Sequence, residues 1–279
     1  MNRRSFLALT PGIFASCGGK KHPTVWKGIH MGIECSVSYR GEAEIEPALQ
    51  RVREAEAALT LWDENSPLSV LNRTGNFDNP PRDLLVCLAK ARELFEASEG
   101  LFDPTIHSYL EWSKAEYQAG RVPDEAAAAE KRKLVNFSKV EITPGKLSLP
   151  EGMAMNLNAI AQGYLTDVFA TTFKASSALV NFGEYRVVGG EPWPVEVAGK
   201  MISLKRALAV SSGSGERLSA TAPANHLIHP GTGQSPPPKK TFAVEAPEAW
   251  LADGLATLIA VGGEIPSRYA EAEVLKLPE

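Results

Sequence analysis

Asp253 and Thr257 stand four residues apart within the largely apolar run 250–263, a spacing that stacks both side chains on one face of a helix. A carboxylate above a hydroxyl presents hard oxygen donors, the kind Mg²⁺ prefers. The same pair also suits a structural role, with Asp253 favouring the positive end of its helix and Thr257 bonding back to a carbonyl. A second segment, 156–167 (NLNAIAQGYLTD), passes from extended chain into a helix with small residues and a glycine at its start, where backbone groups can approach an anion or a metal closely. It lacks the glycine and lysine spacing of a P-loop, so ordinary close packing accounts for it equally well. The third, 226–233 (HLIHPGTG), runs from an expected strand into a Pro-Gly turn, a common place for functional side chains. His226 there suits a proton acceptor, since only histidine ordinarily titrates near neutral pH, and it equally suits a hydrogen-bonded strand edge.

Periodicity indicates what positions these residues. Apolar residues at Leu49, Val52 and Leu59 predict a helix over 46–61, and Leu85, Leu88, Leu94 and Phe95 predict another over 82–98, closed by a left-handed Gly100. Residues 124–133, rich in Ala and Glu, predict an exposed helix. A hairpin is expected from 135–142 and 146–149 around Thr143-Pro144-Gly145. Further strands are expected over 177–188, 195–204, 207–211, 226–228 and 242–246. Helices fall between and after strands without a regular βαβ repeat, which predicts an α+β fold with a mixed or antiparallel sheet and packed helices.

A chain of 279 residues, 44% hydrophobic, can bury the core of one large domain. Its net charge of −4 gives no field that would gather nucleic acid, which excludes that class of partner. The first residues read as an export signal, with Arg3 and Arg4 as charged head, an apolar stretch from Phe6 to Ala15, then small residues before Cys17. Arg3-Arg4-Ser5-Phe6-Leu7 resembles a twin-arginine signal, and Phe14-Ala15-Ser16-Cys17 resembles a lipobox whose cysteine becomes lipidated; a plain cleaved signal is the alternative. The expected division is therefore an export signal with lipobox and tether over 1–23 and one domain over 24–279, held at a membrane facing the periplasm through Cys17. Cys35 and Cys87 sit in apolar surroundings and are expected as two separate buried thiols.

Together these segments resemble the ApbE-like family of FAD:protein FMN transferases. That family carries D-L-[GSN]-[GA]-I-A-K-G-Y-x-x-D, H-x-I-D-P-x-T-G and L-A-D-A-x-A-T, matched here by NLNAIAQGYLTD, HLIHPGTG and LADGLATL; weaker matches are Met31-Gly32, Ser69-Val70-Leu71-Asn72 and Gly100-Leu101-Phe102-Asp103-Pro104-Thr105. The resemblance implies a T-fold-like α+β domain holding FAD in a cleft, with Mg²⁺ beside the pyrophosphate, FMN passing to a threonine of a partner respiratory protein and AMP leaving. It implies Asp253 and Thr257 as metal ligands, completed by the carbonyls of Ala159 and Ala256. It places His226 near the reacting phosphate as acid or base, and Met31, Asp103, Thr105 and Gln162 at the flavin nucleotide.

Five of this chain's departures from the family pattern remove or replace a charged or hydroxyl group. Gln162 replaces the Lys of I-A-K-G, Asn156 its first Asp, His229 the Asp of I-D-P, Ile33 the Thr of M-G-T and Pro67 the acidic residue of S-E-L. A neutral amide in place of lysine beside a diphosphate forgoes charge-assisted contacts worth roughly 1.5–3 kcal/mol each. FAD binding with impaired transfer is the resulting expectation. The alternatives are an inactive flavin-binding lipoprotein and a Mg²⁺-dependent FAD pyrophosphatase that releases AMP and FMN.

Overall fold

The computed structural model describes residues 22–212, 217–219, 224–237 and 240–277. The export signal and Cys17 lie outside the described residues. Among the described residues the main sheet has seven strands, β1 (Thr24–His30), β2 (Ile33–Arg40), β6 (Ser177–Asn181), β7 (Tyr185–Val188), β10 (Ala207–Ser212), β11 (Thr241–Ala246) and β12 (Glu273–Leu275). They are hydrogen-bonded in the order β1-β2-β6-β7-β10-β11-β12, with each neighbouring pair antiparallel. The fold is α+β, as expected.

Alternation along these strands divides the core in two, because successive side chains leave opposite faces of a sheet. Cys35, Val37, Ala178, Val180, Ala209, Val244 and Ala246 face the helices α1 (Glu46–Leu59), α3 (Arg82–Ala97), α6 (Asn158–Thr172) and α7 (Ala249–Ala260). Leu179, Tyr185, Val187, Leu208 and Ala243 face the other way, where the hairpin of β8 (Trp193–Val197) and β9 (Lys200–Leu204) covers them. Burial makes α6 and α7 apolar on nearly every side, so their few polar groups, Asp167 and Asp253, must find partners inside the protein. Cys35 and Cys87 are both buried free thiols.

Four strand expectations are corrected. Residues 177–188 and 195–204 each fold as a hairpin rather than one strand: Gly183 turns the first at φ 107, and Ala198 and Gly199 turn the second at φ 49 and 77. In 135–142 a 3-10 turn, Phe137–Lys139, precedes the short β4 (Glu141–Ile142), because the Asn136 side chain accepts the Ser138 amide at 3.0 Å and curls the chain. β4 pairs with β5 (Lys146–Ser148), which in turn pairs with β3 (Asn76–Asp78). Residues 226–228 are irregular rather than a strand. The preceding Asn225 staples them, its amide nitrogen donating to Pro236 O at 3.0 Å and its Oδ1 accepting from Leu227 N at 2.9 Å.

Candidate functional site

The crossing of α6 and α7 is the centre of the candidate site. Asp167, late in α6, accepts the amides of Ala249 at 2.9 Å and Trp250 at 3.0 Å, and also pairs with Arg186. It thereby caps the first turn of α7, whose own Glu248 makes no side-chain cap. Burial raises the Asp167 carboxyl above its ordinary range, opposed by Arg186 and by the two amides. Gly163 allows the close approach, since a Cβ there would overlap the Ala249 carbonyl and lie 2.7 Å from the Trp250 Cα.

One turn further along α7, Asp253 is buried and its Oδ2 accepts the Gly163 amide at 3.0 Å. Asp253 therefore does not serve its own helix terminus, a task already met by Asp167. Thr257 projects from the same face, its Oγ1 3.4 Å from Ser211 Oγ on β10. Ala159 in the first turn of α6 and buried Ala256 in α7 flank this crossing.

Spacing in the sequence did not reveal Glu184, which is buried on the turn between β6 and β7. β7 pairs with β10 only at Ala207 and Leu208, and Glu184 Oε2 caps the β10 edge beyond by accepting Val210 N at 3.2 Å. Among the described residues neither Glu184 nor Asp253 has a basic side chain within ion-pair distance. Burial pushes Asp253 up to about 7, opposed by the Gly163 amide and reinforced by the charge of Asp167. Burial and the neighbouring Asp253 raise Glu184 well above the carboxylate range, against the Val210 amide. Two buried carboxyls that share no cation stay partly protonated, whereas a bound cation would let both ionise.

The other expected site residues fall into two groups. Gln162 adjoins Gly183, where a Cβ would lie 2.7 Å from Gln162 Oε1 and 2.8 Å from Ile33 Cδ1, so α6, the β6–β7 turn and the start of β2 converge. Buried Met31 precedes that point on the β1–β2 turn. Asp103 and Thr105 instead knit a loop. Asp103 Oδ1 accepts the Thr105 amide at 2.8 Å and its hydroxyl at 2.5 Å, while Oδ2 accepts Phe137 N at 3.0 Å. Thr105 Oγ1 accepts Asn136 N at 2.9 Å and is wholly buried, so its service to the site is to hold the loop. Pro104 O receives the Asn156 amide at 3.0 Å, and Asn156 Oδ1 accepts Asn158 N at 2.8 Å, which ties this loop to the start of α6.

Asp103 also lines an open cleft of about 500 Å³ with Arg132, Lys133, His229 and Pro230. Half-buried His226 lies three residues before His229. His229 Nδ1 accepts the amides of Gly231 at 3.0 Å and Thr232 at 3.3 Å, the turn-capping task to which an Asp at that position is suited. Neither Asp253 nor Thr257 lines this cleft.

An α+β domain with the buried carboxyls of Asp253 and Glu184 and the hydroxyls of Thr257 and Ser211 beside a helix crossing offers oxygen donors of the kind a hard cation prefers. Residues 31–275 match the ApbE family, and the chain belongs to it. Its fold is similar to that of the apo flavinyl transferase ApbE from Pseudomonas stutzeri, at 21% identity and TM-score 0.72 over 88% of this chain and 85% of that one. A mutant flavin transferase ApbE from Vibrio cholerae is similar at 21% identity and TM-score 0.75 over 91% and 93%. The ApbE protein of Thermotoga maritima is similar at 19% identity and TM-score 0.74, over the same shares. Comparison with curated proteins finds no match.

Proposed function

We propose that this chain binds FAD with Mg²⁺ and transfers FMN from it to a threonine hydroxyl of a partner respiratory protein, AMP leaving, at a rate lowered by Gln162. Family membership and the likeness to solved flavin transferases support the reaction class. The observation that carries the metal is Asp253, a buried carboxylate next to buried Glu184 with hydroxyls beyond it and no basic side chain to neutralise either among the described residues. These residues fit a hard cation.

Asp253 and Thr257 would hold the ion, with the carbonyls of Ala159 and Ala256. In an α-helix the Gly163 amide ordinarily serves the carbonyl of residue 159. Its donation to Asp253 sets that carboxyl beside this turn of α6. Bound Mg²⁺ would supply charge neutralisation on the pyrophosphate, the main requirement of phosphoryl transfer. His226 accepts the proton of the attacking threonine hydroxyl as the new O–P bond forms and the bond to the AMP phosphate breaks. Gln162 donates neutral hydrogen bonds where the family has a lysine, so it orients phosphate oxygens without matching their developing charge. Met31 and Asp103 belong to the nucleotide site, and Thr105 acts by fixing the Asp103 loop.

Arg3-Arg4 and the stretch ending at Cys17 support export and lipid anchoring on the periplasmic side, where a membrane-bound acceptor would be met. Membrane fractionation of wild type against Cys17→Ala tests the anchor, and a wild type already soluble after cell disruption overturns it. Incubation with FAD, Mg²⁺ and a threonine-containing acceptor peptide tests the reaction. Slow, Mg²⁺-dependent peptide-bound FMN is expected. AMP and FMN released without acceptor would mark a pyrophosphatase instead, and binding without either product a flavin-binding protein.

A further inference from the structure

The turn between β1 and β2 is held in a conformation its sequence does not favour. Met31 and Gly32 both lie in the left-handed region, at φ 49 and 73, the pattern of a type I′ hairpin turn. Such turns select Asn, Asp or Gly at the first of these positions, and a methionine there needs outside support. Support comes from Glu56 on α1. Its Oε1 accepts the Met31 amide at 2.5 Å, and its Oε2 is 2.6 Å from Nδ1 of the largely buried His30.

The turn so held abuts the candidate site beside Phe182 and Gly183. The His30 ring lies 5.1 Å from that of Phe182, the residue before Gly183. Ile33, directly after the turn, reaches the space beside Gly183 that Gln162 also borders. Burial disfavours an ionised Glu56, yet the hydrogen bonds from His30 and the Met31 amide hold it below the usual carboxylate range. The strut is thus a charged, doubly bonded carboxylate spanning from helix to turn.

We propose that Glu56 is a positioning residue for the nucleotide site, fixing the Met31–Gly32 turn as one of its walls; this rests on the FAD reading above. Glu56 acts through Met31 and does not itself reach the ligand. In Glu56→Ala the turn loses both anchors and relaxes. Glu56→Gln keeps an oxygen for the Met31 amide and offers its NH₂ to His30 Nδ1, which accepts in its other tautomer, so the geometry survives without the charge.

The test is FAD affinity by fluorescence titration in Mg²⁺, beside Mn²⁺ affinity of the flavin-free protein by electron paramagnetic resonance. Glu56→Ala is expected to weaken FAD about tenfold or more, Glu56→Gln by no more than about threefold, and Mn²⁺ affinity is expected to hold in both. If Glu56→Ala does not fold, Glu56→Asp, one methylene too short for the strut, takes its place with the same expectation. Wild type that binds no FAD overturns the functional reading and this inference with it. Wild type that binds FAD while Glu56→Ala binds it equally well overturns the inference alone. Equal losses in the Ala and Gln variants, or a parallel loss of Mn²⁺ affinity, would mark a general fold defect and also overturn it.

Discussion

The Asp253 carboxylate accepts the Gly163 amide at 3.0 Å across the crossing of α6 and α7. That bond joins the two helices bearing four of the residues assigned to the cation, Ala159 on one and Asp253, Ala256 and Thr257 on the other. Among the described residues it is also the counterweight to burial on Asp253, since Asp167 adds like charge.

Stability of the cation-free protein should therefore fall with rising pH. Folded Asp253 keeps its proton up to about 7, whereas an ordinary Asp loses it near 3.8, so between these values the native state binds more protons than the unfolded one. Stability is full below that window and is lost as pH rises through it. Asp253→Asn keeps an acceptor for Gly163 and removes the charge, so in chelator at about pH 8 it should be more stable than wild type by about 1–3 kcal/mol. Urea titrations across this range check it; a wild type as stable at high pH as the variant would contradict it.

Gly163→Ala should destabilise, although alanine is the better helix former by about 1 kcal/mol. The added methyl meets the Ala249 carbonyl and the Trp250 Cα, backbone atoms that give way only if the helices part. An overpacking cost of about 1–3 kcal/mol or more outweighs the propensity gain. Thermal and urea denaturation measure the sign, and Mg²⁺ affinity should fall in step because the Asp253 acceptor geometry shifts.

Gln162→Lys should raise FMN transfer by roughly tenfold or more, since a fixed cation near the phosphates stabilises the transition state more than the bound substrate. The side chain borders Gly183 and Ile33 at a half-buried position. Single-turnover transfer to the acceptor peptide checks it. No gain would place the defect at Ile33, Pro67 or His229 instead, although His229 already performs the turn-capping task of the acid it replaces.

The helices were legible because Leu49, Val52 and Leu59, or Leu85, Leu88 and Leu94, repeat at the helical period and face one core. Asp253 and Thr257 were legible as a same-face pair for the same reason. The hairpins within 177–188 and 195–204 were not, because Phe182-Gly183-Glu184 and Ala198-Gly199 interrupt apolar runs without the Asn-Gly or Pro-Gly signals that announce a turn. Glu184 and Glu56 escaped notice because each acts across the fold, on Val210 and on Met31, at separations that no local spacing encodes.

The most direct test of the account is FAD affinity measured in Mg²⁺ and in chelator, for wild type and Asp253→Ala. Wild type is predicted to bind FAD at least about tenfold more tightly with Mg²⁺, and Asp253→Ala to lose that difference while remaining folded. Equal FAD affinity of the wild type in Mg²⁺ and in chelator would contradict the assignment of Asp253 and Thr257 to a cation that serves the nucleotide.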